Sequence, residues 1–472
     1  MEDEKADLRH RNVNVCERAA IGRPFLFTAF ALLLCAGTVL AQQREVTPGV
    51  EVRVEEEVYD FVSPENGSGP LWSYGCTVIA RSGVDVVVSQ METGVDVPKL
   101  CNTRWRLLRR GKDGWDCFAE AAGYRQREPC PLAILPGGRV YLNVNDSTQP
   151  PGTMYGACEP HMLQFTLGSD PGSPVKIVPE WAGIPSFSDH SYRGFATDPN
   201  TDQLLMFNID NKTSVQHWCL LAADGKTVRN GTVTFPIRAC YPQVALKRGA
   251  AHILAVGDIY EPVEEWREFK FQQTKRKWDY VFRILYYAWT PNIHGQDFNT
   301  PIEIANVDET AGHITNHDLW IAPDGAAYIV YSQRDVQSAL MRDRFFPDKS
   351  TIDSLYLAVV KDGAVADRRM LMDGKDGRQP DCARFHETPA GTVYLVMYVG
   401  GNEPGNVLMQ VYPPKKDAEL VPIPFEKPFT SFCLTSERAG NRPSMIVDIL
   451  GNRGRGDKLS YGQVALKEEP IR

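Results

Sequence analysis

One pattern recurs seven times in this chain and restricts its fold more than any other property. A short strand, a tight turn on glycine or an Asn/Asp residue, and a second alternating strand together read as a β-hairpin. The stretch ITNHDLWIAPDGAAYIVYS, residues 314–332, shows it with Asp324-Gly325 at the turn. The same pattern opens at Ser73, Glu128, Ser191, Ala239, Pro380 and Ser431. Most copies are followed by a weaker strand pair, as in HWCLLAADGKTVRNGTVTF and LYLAVVKDGAVADRRMLM. Four strands in a unit of roughly fifty to seventy residues is the signature of a propeller blade, lengthened by loops. The sequence therefore predicts an all-β chain: a seven-bladed β-propeller of four-stranded antiparallel blades. A β-sandwich, or several small β domains, is the competing architecture.

Closure is also legible. After the last hairpin only KLSYGQVALKE remains, one strand where the blade needs two. The N-terminal run GVEVRVEEEVYDF, residues 49–61, alternates through Val50, Val52 and Val54 and has no hairpin partner. It is expected to supply the outermost strand of the last blade, so the propeller should span residues 46–468.

Ahead of it, Arg18 and Arg23 precede the apolar run FLFTAFALLLCAGTVLA, which ends on the small residue Ala41. A positive flank, an apolar core and that ending predict a signal peptide over residues 1–41, cleaved after Ala41. The expected location is secreted or periplasmic, with membrane anchoring the alternative if the segment stays uncleaved. No other stretch is long and apolar enough to span a bilayer. The charge of −8, from 51 basic and 59 acidic residues, is well mixed and argues against a nucleic-acid partner.

In a propeller, residues at the start of each innermost strand ring one mouth of the central channel, where ligands commonly bind. The equivalent positions are Tyr74 and Cys76; Arg127, Glu128 and Cys130; His190, Tyr192 and Arg193; Arg238, Cys240 and Tyr241; Asn316, His317 and Asp318; Asp381, Cys382 and Arg384; and Ser431 and Cys433. Guanidinium groups suit bidentate recognition of carboxylate or sulfate, which makes Arg193, Arg238 and Arg384, with Asp381, the candidate substrate-binding residues. Tyr241, His317, Asp318, His190 and Tyr192 are the candidate catalytic residues, able to transfer a proton or attack. The competing role for any of them is a hydrogen bond between neighbouring blades.

Nine cysteines follow Ala41. The five in the mouth series read first as small packing residues near the axis. Disulfides between adjacent blades, such as Cys433 with Cys76, come second, and a thiolate metal ring a distant third. No CxxC spacing supports zinc, and no cofactor is expected. Glycosylation triplets occur at Asn66, Asn145, Asn211 and Asn230. Arg455-Gly456-Asp457 reads as a turn. The polar, aromatic-rich stretch 261–280 interrupts blade four as an insertion, either a long hairpin or a wall beside a ligand.

With these repeats the chain resembles the sialidase-like, BNR-repeat class of secreted β-propellers. The resemblance covers roughly residues 70–465 and includes degenerate Asp-boxes at Lys112-Asp113-Gly114-Trp115, Asp224-Gly225-Lys226-Thr227 and Asp362-Gly363. It implies an arginine triad, for which Arg193, Arg238 and Arg384 stand as candidates. Sialidases have six blades, whereas seven are counted here. The chain is also similar to seven-bladed polysaccharide lyases, which use His and Tyr as base and acid beside an Arg that neutralises a uronate. His190, Tyr192, Arg193, Tyr241 and His317 provide those residue types. The expected function is a monomeric, carbohydrate-active exported protein, a glycoside hydrolase or polysaccharide lyase acting on an anionic or complex glycan. A non-enzymatic propeller that binds glycan or protein is the alternative.

Overall fold

The computed structural model describes residues 48–468, apart from 73–75, 151–152, 154–155, 169–173, 190–191, 416–417 and 455–456. The predicted signal segment, Tyr74, His190 and the Arg455-Gly456 turn lie outside the described residues.

Among the described residues, seven four-stranded antiparallel sheets form the blades. Their innermost strands, from blade one to blade seven, are Ile79–Ser82, Leu132–Leu135, Arg193–Asp198, Ala239–Lys247, His313–Ile321, Arg378–Glu387 and Ser431–Leu434. Blade seven takes three strands from the C-terminal end and its outermost from the N-terminal one. Pro48–Asp60 pairs antiparallel with Lys458–Glu468, from Pro48 opposite Glu468 to Asp60 opposite Lys458. The predicted closure is therefore what the chain does, and it leaves no wide gap between the first and last blades.

The apolar alternation is explained by how the blades stack. Each sheet is buried on both faces, so seven cores separate seven pairs of blades. Trp218 and Phe207 of blade three meet Tyr286 and Ile253 of blade four, and Tyr331 of blade five packs with Leu254 and Tyr287 of blade four. The closing strand serves two such cores at once. Val50 and Val52 pack between blades six and seven, whereas Val54, Val58 and Tyr59 pack between blades seven and one.

The turns of the degenerate Asp-boxes do join third and fourth strands, in blades one, three and five. None of the nine described cysteines forms a disulfide with another described residue. Cys76 points its Sγ at the Arg193 and Pro242 carbonyls, and Cys433 points its own at Leu450, so the suggested Cys433–Cys76 bridge is not made. Of the glycosylation triplets, Asn66 and Asn145 are buried and hydrogen-bonded, which leaves Asn211 and Asn230 accessible.

Two departures from a plain propeller shape the channel. At the end where inner strands turn back, the blade-seven loop 435–445 crosses the axis as a plug. Arg438 donates to the Val244 carbonyl of blade four (2.9 Å), Asn441 accepts the Arg81 amide of blade one (2.8 Å), and the Ser444 amide donates to the Glu387 carbonyl of blade six (2.9 Å). Gly440 makes this crossing possible: its φ is +85°, and a Cβ there would lie 1.9 Å from the Ile134 carbonyl oxygen.

At the opposite end, the mouth, two insertions rise. One lies between the second and third strands of blade four and holds helix α1, Glu264–Thr274, within a short hairpin of Ile259–Tyr260 and Tyr280–Val281. The other lies at the same point of blade five and holds helix α2, Ala339–Phe345. Trp266 and Phe269 of α1 meet Phe345 of α2 and Phe346 just beyond it, so the two insertions form one wall above blades four and five. Stretch 261–280 is an insertion, as expected, but it is neither a plain long hairpin nor only a loop: its short strand pair encloses a helix that the sequence pattern did not announce.

Candidate functional site at the channel mouth

The mouth is built on three consecutive bulges. Near the start of the inner strands of blades four, five and six the ladder slips a register, between Cys240 and Gln243, Asn316 and Asp318, and Pro380 and Ala383. A bulge takes residues out of the ladder and re-aims their side chains, and such bulges are common beside functional sites. Those released here include Tyr241, His317 and Asp381. Tyr241 has φ +52°, a left-handed conformation that costs a non-glycine residue roughly 1–3 kcal/mol.

On the wall of blades three and four, Tyr192 and Tyr241 lie with ring centroids 4.6 Å apart and hydroxyl oxygens 3.3 Å apart. The Arg238 guanidinium is ion-paired with Asp258 and stacks over the Tyr192 ring, 5.6 Å from its centroid. Burial opposes the Arg238 charge, but Cys240, Asp258 and Tyr192 outweigh it and raise its pKa. Burial, with Glu128 and Cys240, raises the Tyr192 pKa and keeps that phenol protonated. Trp72 meets the Tyr241 ring edge-on at 6.0 Å.

An aromatic relay crosses to the wall of blades five and six. Tyr241 contacts Phe282 at 5.8 Å, and Phe282 meets His313 at 5.8 Å. His313 is half-buried, and burial, then Arg334 and Arg283, holds its pKa down to about 4, so near neutrality it carries no charge and can accept a proton. Arg334 faces His313 across the strand pair and reaches Asp353 at 3.4 Å. Asp381 stands exposed at the mouth, yet desolvation by the surrounding protein raises its pKa against the pull of Arg384 and Arg334. Asp353 is raised likewise, by burial and then by Asp381, against Arg334.

The mouth therefore gathers Arg238 and Tyr241 on one wall, backed by the buried Tyr192, and Asp381 on the other. The remaining described candidates turn inward. Arg193 is buried between blades two and three, donating to the carbonyls of Asn143 (3.1 Å) and Pro129 (2.8 Å). Arg384 donates to the His317 carbonyl at 2.6 Å and so joins blades five and six. His317 is itself buried, which drives its pKa down to about 3. Asp318 is buried against Arg438 and accepts the Phe385 amide at 2.9 Å. Arg193, Arg384 and Asp318 make side-chain bonds between blades, whereas His317 takes part through its backbone carbonyl.

His313, Arg334, Asp353 and Asp258 were not singled out by sequence. The signal was available: in a hairpin the end of the second strand lies opposite the start of the first. Arg334 opposite His313, and Asp258 just past Gly257 opposite Ala239, thus belong to the same mouth. Among the described residues no cluster of His, Cys, Asp and Glu could hold a metal ion.

No family model and no curated protein sequence matches the chain. In three dimensions it is similar to the polysaccharide lyase Uly1, with a TM-score of 0.50 at 12% identity over 89% of this chain and 99% of that one. It is also similar to an ulvan lyase bound to -[GlcA(1-4)Rha3S]-, with a TM-score of 0.52 at 8% identity over 88% of this chain and 95% of the other. A Penicillium chrysogenum α-L-arabinanase complexed with arabinobiose superposes with a TM-score of 0.43, at 12% identity over 88% of this chain and 98% of that one. At such identities the similarity to the two lyases establishes the propeller fold.

Proposed function

We propose that this is an exported carbohydrate-active protein that binds and cleaves an anionic polysaccharide at the channel mouth, by elimination. The observation that carries this reading is the packing of Arg238 on Tyr192, whose hydroxyl lies 3.3 Å from that of Tyr241, with neutral His313 reached through Phe282. Elimination beside a uronate needs three things: a cation at the carboxylate, a base for the adjacent C–H, and an acid for the leaving oxygen. Arg238 or Arg334 provides the cation, which stabilises the charge that develops as the proton leaves. His313 takes the proton, a carbon–carbon double bond forms as the carbon–oxygen bond breaks, and a tyrosine hydroxyl donates to the departing oxygen. The saccharide named with the similar ulvan lyase, a glucuronate linked to a sulfated rhamnose, has the acidic groups such a mouth would suit.

A second reading has its own support. Asp353 and Asp381 are both pushed toward the protonated form, Asp381 adding to the burial that raises Asp353, and a pair of interacting carboxyls is what a glycoside hydrolase uses. The sialidase arrangement is less favoured, because Arg193 and Arg384 spend their donors on backbone carbonyls. The deciding experiment incubates the chain with alginate, polygalacturonate, chondroitin sulfate and ulvan, following reducing ends and the ultraviolet absorbance of an unsaturated sugar. Both signals together mean elimination, and reducing ends alone mean hydrolysis. Binding with neither would make the protein a non-enzymatic glycan binder. Export is tested separately by N-terminal sequencing, with Gln42 the expected first residue.

A further inference from the structure

Four aromatic side chains stand exposed among the described residues, and all four lie on one insertion: Tyr260 (46%), Phe271 (44%), Trp278 (74%) and Tyr280 (46%). Isolated exposed aromatics need no explanation, but confinement of all of them to the single stretch 260–280 does. The wall is also joined to the mouth. Arg238 lies between the Tyr192 ring inside, at 5.6 Å, and the Tyr280 ring outside, at 6.0 Å. Tyr280 pairs across the short hairpin with Tyr260, centroids 6.0 Å apart, and Arg267 covers Tyr260 at 5.5 Å.

The wall is held rigid from beneath. Glu261 is fully buried and receives Lys270 of α1 (2.6 Å) and Arg283 (2.5 Å), while Lys270 also reaches Asp279 at 2.9 Å. The buried Glu261 thus holds two buried cations, Arg283 reaches Asp308 as well at 3.2 Å, and Arg283 lies over Trp266, 5.1 Å from its ring. Breaking such a buried pair is costly, so the network fixes the position of the aromatic surface before any ligand arrives. Lys275, Arg276 and Lys277 follow the helix directly and are exposed beside Trp278.

We propose that Tyr280, Tyr260 and Trp278 form an extension of the binding site, on which successive sugars of an anionic polysaccharide stack after leaving the mouth. The inference rests on the glycan reading of the mouth and deepens it. Flat aromatic faces pack against the apolar C–H face of a pyranose, and flanking cations attract its carboxylates or sulfates. A chain long enough to reach from Tyr192 past Arg238 to Tyr280 and beyond would use both; a short oligosaccharide would fill the mouth alone. The site thereby selects for chain length.

The test titrates the chain with size-fractionated uronate oligosaccharides, of four and of about sixteen sugars, prepared from whichever panel polysaccharide binds. Trp278→Ala and Tyr280→Ala are each expected to weaken binding of the long oligosaccharide by about tenfold, the factor equal to 1.4 kcal/mol. Trp278→Ala, whose ring does not touch Arg238, should neither move the affinity for the short one more than twofold nor lower the melting temperature. If both variants bind the long oligosaccharide as the native chain does, the extension is wrong while the mouth stands. If no panel polysaccharide binds the native chain, both fall together. Co-sedimentation with vesicles containing phosphatidylserine and sedimentation velocity complete the test. Aromatic-dependent vesicle binding or self-association without an effect on glycan affinity would assign the wall to a membrane or a second copy and overturn the proposal.

Discussion

Arg438, on the plug of blade seven, donates to the carboxylate of Asp318 on the inner strand of blade five, so one buried ion pair spans the turn end of the channel. Asp318 also accepts the Phe385 amide, and Arg438 also holds the Val244 carbonyl, so the pair connects blades four, five, six and seven. Removing one partner strands a buried charge, which costs about 3–5 kcal/mol. Arg438→Ala should lose stability on that scale in urea denaturation, with little change in the slope of the transition. Arg438→Met combined with Asp318→Asn should recover most of the loss. A loss under about 1 kcal/mol in the single variant would remove the pair from any role in holding the plug.

Beside that pair the plug meets a second titratable cluster. Burial, and then a hydrogen bond to Glu387, raises the Glu437 pKa from 4.5 to about 7, against the opposing charge of Lys247. Trp320 donates to Glu387 at 2.7 Å, and Lys247 reaches Glu437 at 3.1 Å. Between pH 4.5 and about 7 the folded chain holds a proton at Glu437 that the unfolded chain releases. This contribution is therefore complete at low pH and is lost as pH rises through about 7. Glu437→Gln should raise the melting temperature relative to the native chain at pH 8, by about 1 kcal/mol in stability, with the difference vanishing near pH 4. Taking the difference between variant and native chain isolates this effect from His252 and His317, whose pKa values fall to about 3 on burial and whose contribution runs the other way. Equal differences at the two pH values would show that Glu437 titrates normally.

How much of this was legible depended on whether a property is repeated. Blade number, hairpin positions and closure by residues 49–61 follow from apolar alternation, because every blade is buried on both faces and its pattern is copied seven times. The mouth was only half legible. Tyr192, Arg238 and Tyr241 were found because strand starts are aligned, whereas Arg334 and Asp258 were missed because they lie just where the neighbouring strand ends. Arg193 and His317 occupy the right slot but are buried: slot position fixes the Cα, whereas neighbouring carbonyls hold the Arg193 guanidinium inside and His317 sits buried in a bulge. The plug was invisible, since one glycine in an unrepeated loop carries it.

Closure can be tested directly. Deleting residues 48–60 would expose the whole edge of Lys458–Glu468 and strip Val50, Val52, Val54 and Val58 from two cores. An unpaired edge of eleven residues is a template for pairing with other chains. The truncated chain should melt well below the full one and elute as oligomers. A synthetic peptide of residues 48–60 should restore the elution profile of the full chain, helped by ion pairs of Lys467 with Glu51 and Lys458 with Glu57, each 2.6 Å. An unchanged melting temperature would mean that the propeller closes without this strand.

The last prediction concerns the chemistry of the mouth, where three substitutions separate three roles. Arg238→Ala removes the cation facing the proposed carboxylate but leaves the Tyr192–Tyr241 stack, so binding of a four-sugar uronate should weaken by about tenfold or more, an effect of at least 1.4 kcal/mol. Tyr241→Phe removes one hydroxyl of the 3.3 Å pair while keeping the ring against Trp72 and Phe282, so turnover should fall with little change in binding. A fall of about a hundredfold or more in kcat is the scale of a lost proton transfer. His313→Gln keeps a hydrogen-bonding side chain but removes the group that stays neutral down to about pH 4. In the native chain kcat should rise with pH through about 4 as His313 loses its proton and becomes able to act as the base. In His313→Gln that limb should disappear along with most of the turnover. A native profile that instead rises through pH 6 to 7 would point to a different base. Full turnover in both Tyr241→Phe and His313→Gln, with binding lost only in Arg238→Ala, would confine Arg238 to recognition and move the catalysis across the mouth to Asp353 and Asp381.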